Sequence, residues 1–474
     1  MTTECIPSQL EFHALGKRDV VGRFDGGRIT SDGGGLLLRE VDRRLGLLDR
    51  LAGCFTDYRN PNSIEHGVQA LVAQRVYGLA LGYEDLNDHD TLRADSVLAL
   101  LVGKRDLTGE DRERERDRGN PLAGSSTLNR LELATPESAK ADRYKKIAAD
   151  PKAFDRLLVD LFIESHDEAP REIWLDLDAT DDPLHGNQEG RFFHGYYGCY
   201  CYLPLYIFCG EHLLCARLRP SNQDGAAGSV EELERIIKQI RARWPKTRIV
   251  IRGDSGFCRE AIMHWCEENR VSYVLGLARN KRLNRVLGEA MESARLEHAR
   301  TGQSARRFRD FRYRTRKSWS TERRVVGKAE YLPNKANPRF VVTDLPISRA
   351  GARHLYEKLY CVRGEMENRI KEQQLGLFAD RTSTATLRAN QLRLYFSSFA
   401  YVLMHGLRRL GLAGTQHAKA QCTTIRLKLL KIGARIRITV RKVWLSFSEA
   451  YPYASDFAQI LANLRRHPAW APPG

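Results

Sequence analysis

Three acidic positions in this chain stand where an acid needs a reason. Asp176 and Asp178 alternate with apolar residues in Ile173-Trp174-Leu175-Asp176-Leu177-Asp178-Ala179-Thr180, a period of two that predicts a strand with both acids on one face. Asp254 follows the apolar run Arg248-Ile249-Val250-Ile251-Arg252, inside Gly253-Asp254-Ser255-Gly256-Phe257. Glu367 lies in the helical stretch Leu355–Glu372, with Arg363 and Lys371 one turn away on either side and Tyr360 on the same face. An unpaired buried carboxylate costs several kcal/mol, so a core strand carrying two of them needs a base, a metal or water to meet. Carboxylate oxygens suit Mg2+, with Mn2+ as a substitute. Two such ions roughly 3.5–4 Å apart stabilise the attacking and leaving oxygens of a phosphodiester displacement. Asp178, Asp254 and Glu367 are therefore candidate ligands for two divalent ions. The plainer alternative is a strand running into a polar turn whose acids reach water, and the rest of the chain has to decide.

The fold must bring these acids together. Strand-like runs cover 172–180, 196–209 and 212–218, with a tight-turn signal at Gly210-Glu211. An amphipathic helix over Ser229–Trp244, with Val230, Leu233, Ile236, Ile237 and Ile240 as its stripe, precedes the strand 248–252. A helix over 258–269 and a strand over 271–277 follow. The order β-β-β-α-β-α-β, with one acid on the first strand and another just after the fourth, is the connectivity of a ribonuclease-H-like fold. There the first and fourth strands lie side by side, so Asp178 and Asp254 become neighbours across 75 intervening residues. The predicted class is mixed α/β: a ribonuclease-H-like catalytic domain with a β-rich insertion, plus a mostly helical N-terminal domain.

The rest of the chain is read around that frame. Helical periodicity covers 36–51, 63–81 and 92–102. Asp85, Asp88, His89 and Asp90 read as a cap and turn cluster rather than a metal site, because the chain around them is helical and offers no second ligand group. Gly124–Leu131 opens a helix whose polar, basic first turn could enter a DNA groove or be an ordinary capped start. Between 300 and 345, Arg306, Arg307, Arg309, Arg312, Arg314, Arg316 and Lys317 alternate with Phe308, Phe311, Tyr313 and Trp319. Such a surface holds a phosphate backbone and stacks bases; the alternative is a two-faced sheet with basic side chains in water. A helix over 386–411, a strand alternation at Arg435–Arg441 and one short helix in the tail complete the chain. The expected domains are 1–165, mostly helical and DNA-binding; 166–410, catalytic, with the insertion at about 285–350; and 411–474, a basic C-terminal region.

Composition bounds the partners. The 474 residues carry a net charge of +17 and a pI near 9.5, which favours a polyanion, nucleic acid first and membrane surface second. Between Arg381 and Ser448 there are thirteen Lys and Arg and no Asp or Glu. A solvated face usually mixes signs, so this stretch favours phosphate. No apolar run approaches the roughly 18 residues of a membrane span, and Met1-Thr2-Thr3-Glu4-Cys5 is not a signal-peptide start. The ten cysteines contain no CxxC pair, which excludes the usual zinc-finger spacing, and those from Cys199 to Cys215 read as reduced core thiols. A cytoplasmic, nucleoid-associated protein is expected.

The motifs together resemble those of DDE transposases of the insertion-sequence class related to IS4, most closely the IS1380 group, over about Phe24 to Leu445. Asp178-Ala179-Thr180 is similar to the first-acid motif, Gly253-Asp254-Ser255-Gly256-Phe257 to the second, and Tyr360-x2-Arg363-x3-Glu367 to the Tyr-Arg-Glu part of the third. The resemblance implies metal-dependent cleavage at the terminal inverted repeats of an element, then attack of the freed 3′-OH on target DNA, in a cut-and-paste reaction run by a homodimer. It implies that Tyr360 and Arg363 contact phosphates near the cut, and that Trp319 in the β insertion is a candidate for receiving a flipped base. Arg312 and Arg314 join the expected DNA contacts. The family often has Lys seven residues after the Glu, where this chain has Gln374; Lys371, one turn nearer, is the expected substitute. Two other readings stay open: a non-catalytic DNA-binding protein on the same fold, and a nuclease without strand transfer. Asp176 is the reserve for Asp178 as first ligand.

Overall fold

The computed structural model describes residues 9–470 except residue 334. The chain forms two compact units. One comprises residues 54–56 and 148–405; the other joins the residues up to 53, 57–147 and those from 406 onward. The segment after 406 therefore belongs with the N-terminal residues, not to a separate region after 410. No helix among the described residues is long and apolar enough to cross a membrane.

The 148–405 unit is built on a mixed sheet of nine strands. Its first strands are β1 (Glu172–Ala179), β2 (Leu205–Cys209), β3 (His212–Arg217), β4 (Arg248–Gly253) and β5 (Ser272–Leu277). They lie in the order β3-β2-β1-β4-β5, with β4 parallel to both β1 and β5 and β2 antiparallel to β1. The first and fourth strands are thus paired, as the element order predicts. β4 is central and buried on both faces, which is why it reads as an unbroken apolar run. Ile249 and Ile251 join Ile173, Leu175 and Leu177 of β1 in one core. Leu233, Ile236, Ile237 and Ile240 of helix α1 (Ser229–Arg243) and Ile262, Met263 and Cys266 of helix α2 (Glu260–Glu268) close that face. Val250 points the other way, into a smaller cluster with Val274, Leu355 and Tyr356. Alternation puts Asp176 and Asp178 on this second face of β1.

Two expectations about elements are corrected. The stretch 196–209 is two strands, because Pro204 has no N–H to continue a ladder; Cys199–Tyr202 pairs instead with Phe192–His194 and Asp182–Pro183. The basic segment also extends the sheet instead of interrupting it. β6 (Ala305–Tyr313), β7 (Arg323–Leu332) and β8 (Arg339–Thr343) continue it antiparallel, in the order β5-β8-β7-β6. The free edge of β5 is covered when Val274–Leu277 pairs with Phe340–Thr343, and an edge that is paired is no longer open to other chains.

In the other unit, the helix expected over 36–51 breaks at Gly46, whose φ of 57° is left-handed, into Leu36–Leu45 and Leu47–Ala52. The helix Val68–Leu81 is almost wholly buried. The Asp85–Asp90 cluster is a turn and cap, as read: the Asp88 carboxylate accepts from the Asp85 N–H, Asp90 accepts from Ser125, and buried His89 is bonded to Gln74. The segment after Gly124 makes two short helical turns, Ser125–Leu128 and Arg130–Leu133, in place of one helix. Arg28–Thr30, Ala434–Ile438 and Val443–Phe447 form a three-stranded sheet, and Ala454–Arg466 is the helix of the tail.

Candidate active site

The register of β1 and β4 decides where the first two acids meet. Arg252 lies opposite Asp176 and Gly253 opposite Leu177. One step further, Asp254 comes level with Asp178 at the ends of two parallel strands. Asp254 leaves the strand through a turn in which its Oδ1 accepts from the Gly256 N–H at 2.8 Å. On the far side Gly276 of β5 has no room for a side chain: a Cβ there would lie 2.6 Å from the Tyr360 hydroxyl and 2.8 Å from the Ser255 nitrogen. The glycine lets Tyr360 reach the sheet beside Asp254.

The third acid arrives on an irregular helix. Leu355–Tyr360 is wound wide, Cys361–Arg363 tight, and a regular helix, α3 (Gly364–Leu377), follows. Changes of winding of this kind collect at functional sites. The Leu359 carbonyl in this stretch accepts from Arg252 Nη1 at 2.6 Å. Glu367 sits in the first turn of α3, where a helix end favours an anion. Arg363 Nη2 donates to Glu367 Oε1 at 2.9 Å, while its Nη1 is 3.7 Å from Asp178 Oδ1. One guanidinium therefore stands between two of the three carboxylates. Burial pushes Asp178 up to about 7; Arg363 pulls the other way, and Asp254 and Glu367 add to the rise. Tyr360 is held above the usual phenol range, chiefly by burial.

Asp176, two residues back on the same face, differs. Arg252 grips both its oxygens, Nε to Oδ1 at 2.5 Å and Nη2 to Oδ2 at 2.7 Å. The same guanidinium lies 5.3 Å from the centre of the Trp174 ring. Burial also raises Asp176, against the pull of Arg252. Its oxygens are answered by a fixed fork, and it ties β1, β4 and the wide helical turn together.

Among the described residues no three acidic, histidine or cysteine side chains stand close enough to hold an ion as they are, because Arg363 spans the gap. The chemistry of the donor set still fits a hard divalent cation. Three carboxylates converge so closely that two of them disfavour charge on the third, an excess of negative charge that one guanidinium does not cancel.

The remaining expected residues divide. Lys371 is exposed, one turn beyond Glu367. Gln374 donates to the Asp181 carbonyl at 3.0 Å, so it braces the chain just past Asp178. Arg312 and Arg314 are exposed at the end of β6, Arg312 donating to the Glu322 carbonyl at 2.6 Å. Trp319 offers no free ring face: it is 6% exposed, set edge-on to Tyr313 and covered by Arg323. Its expected role as a stacking surface is corrected by that burial. Two groups beside the acids were not singled out from sequence. Tyr197 donates to the Ala179 carbonyl at 3.3 Å and is pushed up to about 12 by burial, Asp181 and Asp178; the exposed rings of Phe193 and Tyr196 flank it. Arg279 and Arg339 line a cavity of about 140 Å³ together with Asp254 and Tyr360. The aromatic run Phe192-Phe193-His194-Gly195-Tyr196-Tyr197 was the available signal for the first.

With this geometry in hand, the class follows: residues 12–469 match the family described as transposase DDE domain group 1, and the chain belongs to that family. Among solved structures it is similar to piggyBac transposase in a cryo-EM synaptic complex with hairpin DNA. The likeness is loose, with 11% identity over 83% of this chain and 79% of that chain and a TM-score of 0.39. No curated protein matches the chain.

Proposed function

We propose that this chain is an active cut-and-paste transposase of the IS1380 group, with a ribonuclease-H-like catalytic unit acting on the terminal inverted repeats of its element as a homodimer. The observation that carries the reading is the meeting of Asp178 and Asp254 at adjacent strand ends, with Glu367 tethered to the same place through Arg363. Asp178, Asp254 and Glu367 would hold Mg2+, or Mn2+ in its stead, as two ions; when bound, these polarise the scissile phosphate and stabilise the attacking and leaving oxygens. Arg363 keeps Glu367 beside Asp178 and is placed to turn its fork to a phosphate oxygen. Arg279 and Arg339 supply positive charge on the Asp254 side, Tyr360 a hydroxyl, and Lys371, Arg312 and Arg314 further phosphate contacts. The aromatic hairpin around Tyr197 is a better candidate than Trp319 for contact with unstacked bases. The protein would work in the cytoplasm, on the nucleoid.

The test is cleavage of duplexes carrying the element's ends, with Mg2+ present or withheld. Asp178→Ala, Asp254→Ala and Glu367→Ala are expected to abolish nicking while DNA binding survives; nicking at the wild-type rate by any of them sinks the assignment. The ion pair across the site is the one feature that favours a non-catalytic DNA-binding protein. Binding of end DNA without nicking under either metal would identify that alternative, and nicking without strand transfer would identify a nuclease.

A further inference from the structure

The stretch without acids contains a built surface that the reaction above does not use. Ala434–Ile438 and Val443–Phe447 pair as a two-stranded ribbon, with Arg28–Thr30 added along one edge. Its two faces differ. Ala434 and Ile436 are buried, and Val443 and Leu445 partly so; they seat the ribbon on its unit. Arg435, Arg437, Trp444 and Ser446 are exposed and share the other face, since Arg437 pairs with Trp444 and Arg435 with Ser446. Ile29 lies beside Arg435 on that face and is 65% exposed.

The turn at the tip is defined. Thr439 N donates to the Lys442 carbonyl at 2.9 Å, and Lys442 N to Thr439 Oγ1 at 3.1 Å. That closure holds Val440 and Arg441 outward. The Trp444 ring is flanked by two cations, the Arg437 guanidinium at 5.7 Å and the Lys442 ammonium at 5.1 Å from its centre. These contacts order two long side chains that would otherwise be free, so the face is both positive and pre-shaped. Neither strand carries an acid, and none occurs from Arg381 to Ser448.

We propose that the ribbon 434–447 is a duplex-DNA-binding element that enters the major groove. Arg435, Arg437 and Trp444 face the base edges, and Arg441 and Lys442 at the tip meet phosphates. The major groove, about 12 Å wide, admits a two-stranded ribbon, and charge complementarity with phosphate selects nucleic acid over a neutral partner. The inference rests on the transposase reading only in taking DNA as the substrate; it assigns recognition to a part of the chain remote in sequence from the three acids.

The experiment measures affinity of the full chain for an end duplex and a random duplex by fluorescence anisotropy, across about 50 to 200 mM salt. The variant is Arg435→Ala/Arg437→Ala/Lys442→Ala, with Arg435→Lys/Arg437→Lys as its conservative control. The slope of log affinity against log salt is expected to fall by up to about 2.7, roughly 0.9 per lost phosphate contact. The Lys control is expected to keep the slope yet lose preference for the end duplex, because Lys lacks the planar fork. All three changed side chains are exposed, so thermal melting should match the wild type and exclude misfolding as the cause. An unchanged slope and affinity in the triple variant overturns the ribbon while leaving the transposase reading intact. A wild-type chain that binds no duplex overturns both. A variant that loses only anionic vesicles, with duplex binding intact, assigns the face to a membrane surface and overturns the proposal.

Discussion

Asp176 and Asp178 sit two residues apart on one face of one strand and meet opposite circumstances. Asp176 is gripped at both oxygens by Arg252, whose remaining nitrogen holds the Leu359 carbonyl. Asp178 is buried almost as deeply, but its neighbours are two further carboxylates and a guanidinium 3.7 Å away that is also bonded to Glu367. Burial raises both acids. At Asp176 a dedicated partner answers it; at Asp178 two like charges compound it. An acid kept in such a place without full compensation is costly for folding and suited to a ligand that brings positive charge. That difference, more than depth or sequence spacing, separates the strand's structural acid from its candidate catalytic one.

The largest test of the contrast is catalytic. Asp178→Asn should lower the rate of end cleavage by about a thousandfold or more, the scale of several kcal/mol of lost charge stabilisation, measured by single-turnover nicking. Asp176→Ala should instead act on folding. It leaves Arg252 buried and unpaired, at a cost of about 3–5 kcal/mol in urea unfolding. Asp176→Leu/Arg252→Met should recover most of that, because removing both charges removes the penalty; failure to recover would show that the pair does more than fill space. Without divalent metal, Asp178→Asn should change stability in the other direction, a gain of roughly 1–3 kcal/mol from relieving a buried, repelled charge.

The smallest effect concerns an acid near the surface that is fully answered. Burial alone would raise Glu260, yet hydrogen bonds from Arg323 and Ser320 hold it down at about 2. A lowered folded-state value contributes stability above the ordinary carboxylate range and loses it as pH falls toward 2. Glu260→Gln should therefore flatten the acid limb of a stability profile between pH 4.5 and about 2, by under about 1 kcal/mol, since the pair is partly exposed to water.

Much of the catalytic unit was legible because its signals are local. Period two gave β1, an unbroken apolar run gave β4, and a stripe at spacings of three and four gave α1. Strand order then placed Asp178 beside Asp254. The pairing of Asp176 with Arg252 needed the register of a parallel ladder, which no single strand carries. Trp319 looked exposed because basic neighbours surround it in sequence, but its ring turns into the core between Tyr313 and Arg323. The union of the C-terminal residues with the first unit rests on pairs such as Arg435 with Ile29, four hundred residues apart, for which no local signature exists. The break at Pro204 was readable and was passed over; that at Gly46 needed the left-handed φ to be certain.

The central claim is that Asp178, and not Asp176, is open to a cation. Titrating Mn2+ into the full-length protein by calorimetry, for wild type and Asp178→Asn, tests it most directly. Saturable binding in the wild type that the Asn variant abolishes is the predicted result. Equal Mn2+ binding by the two proteins would contradict it.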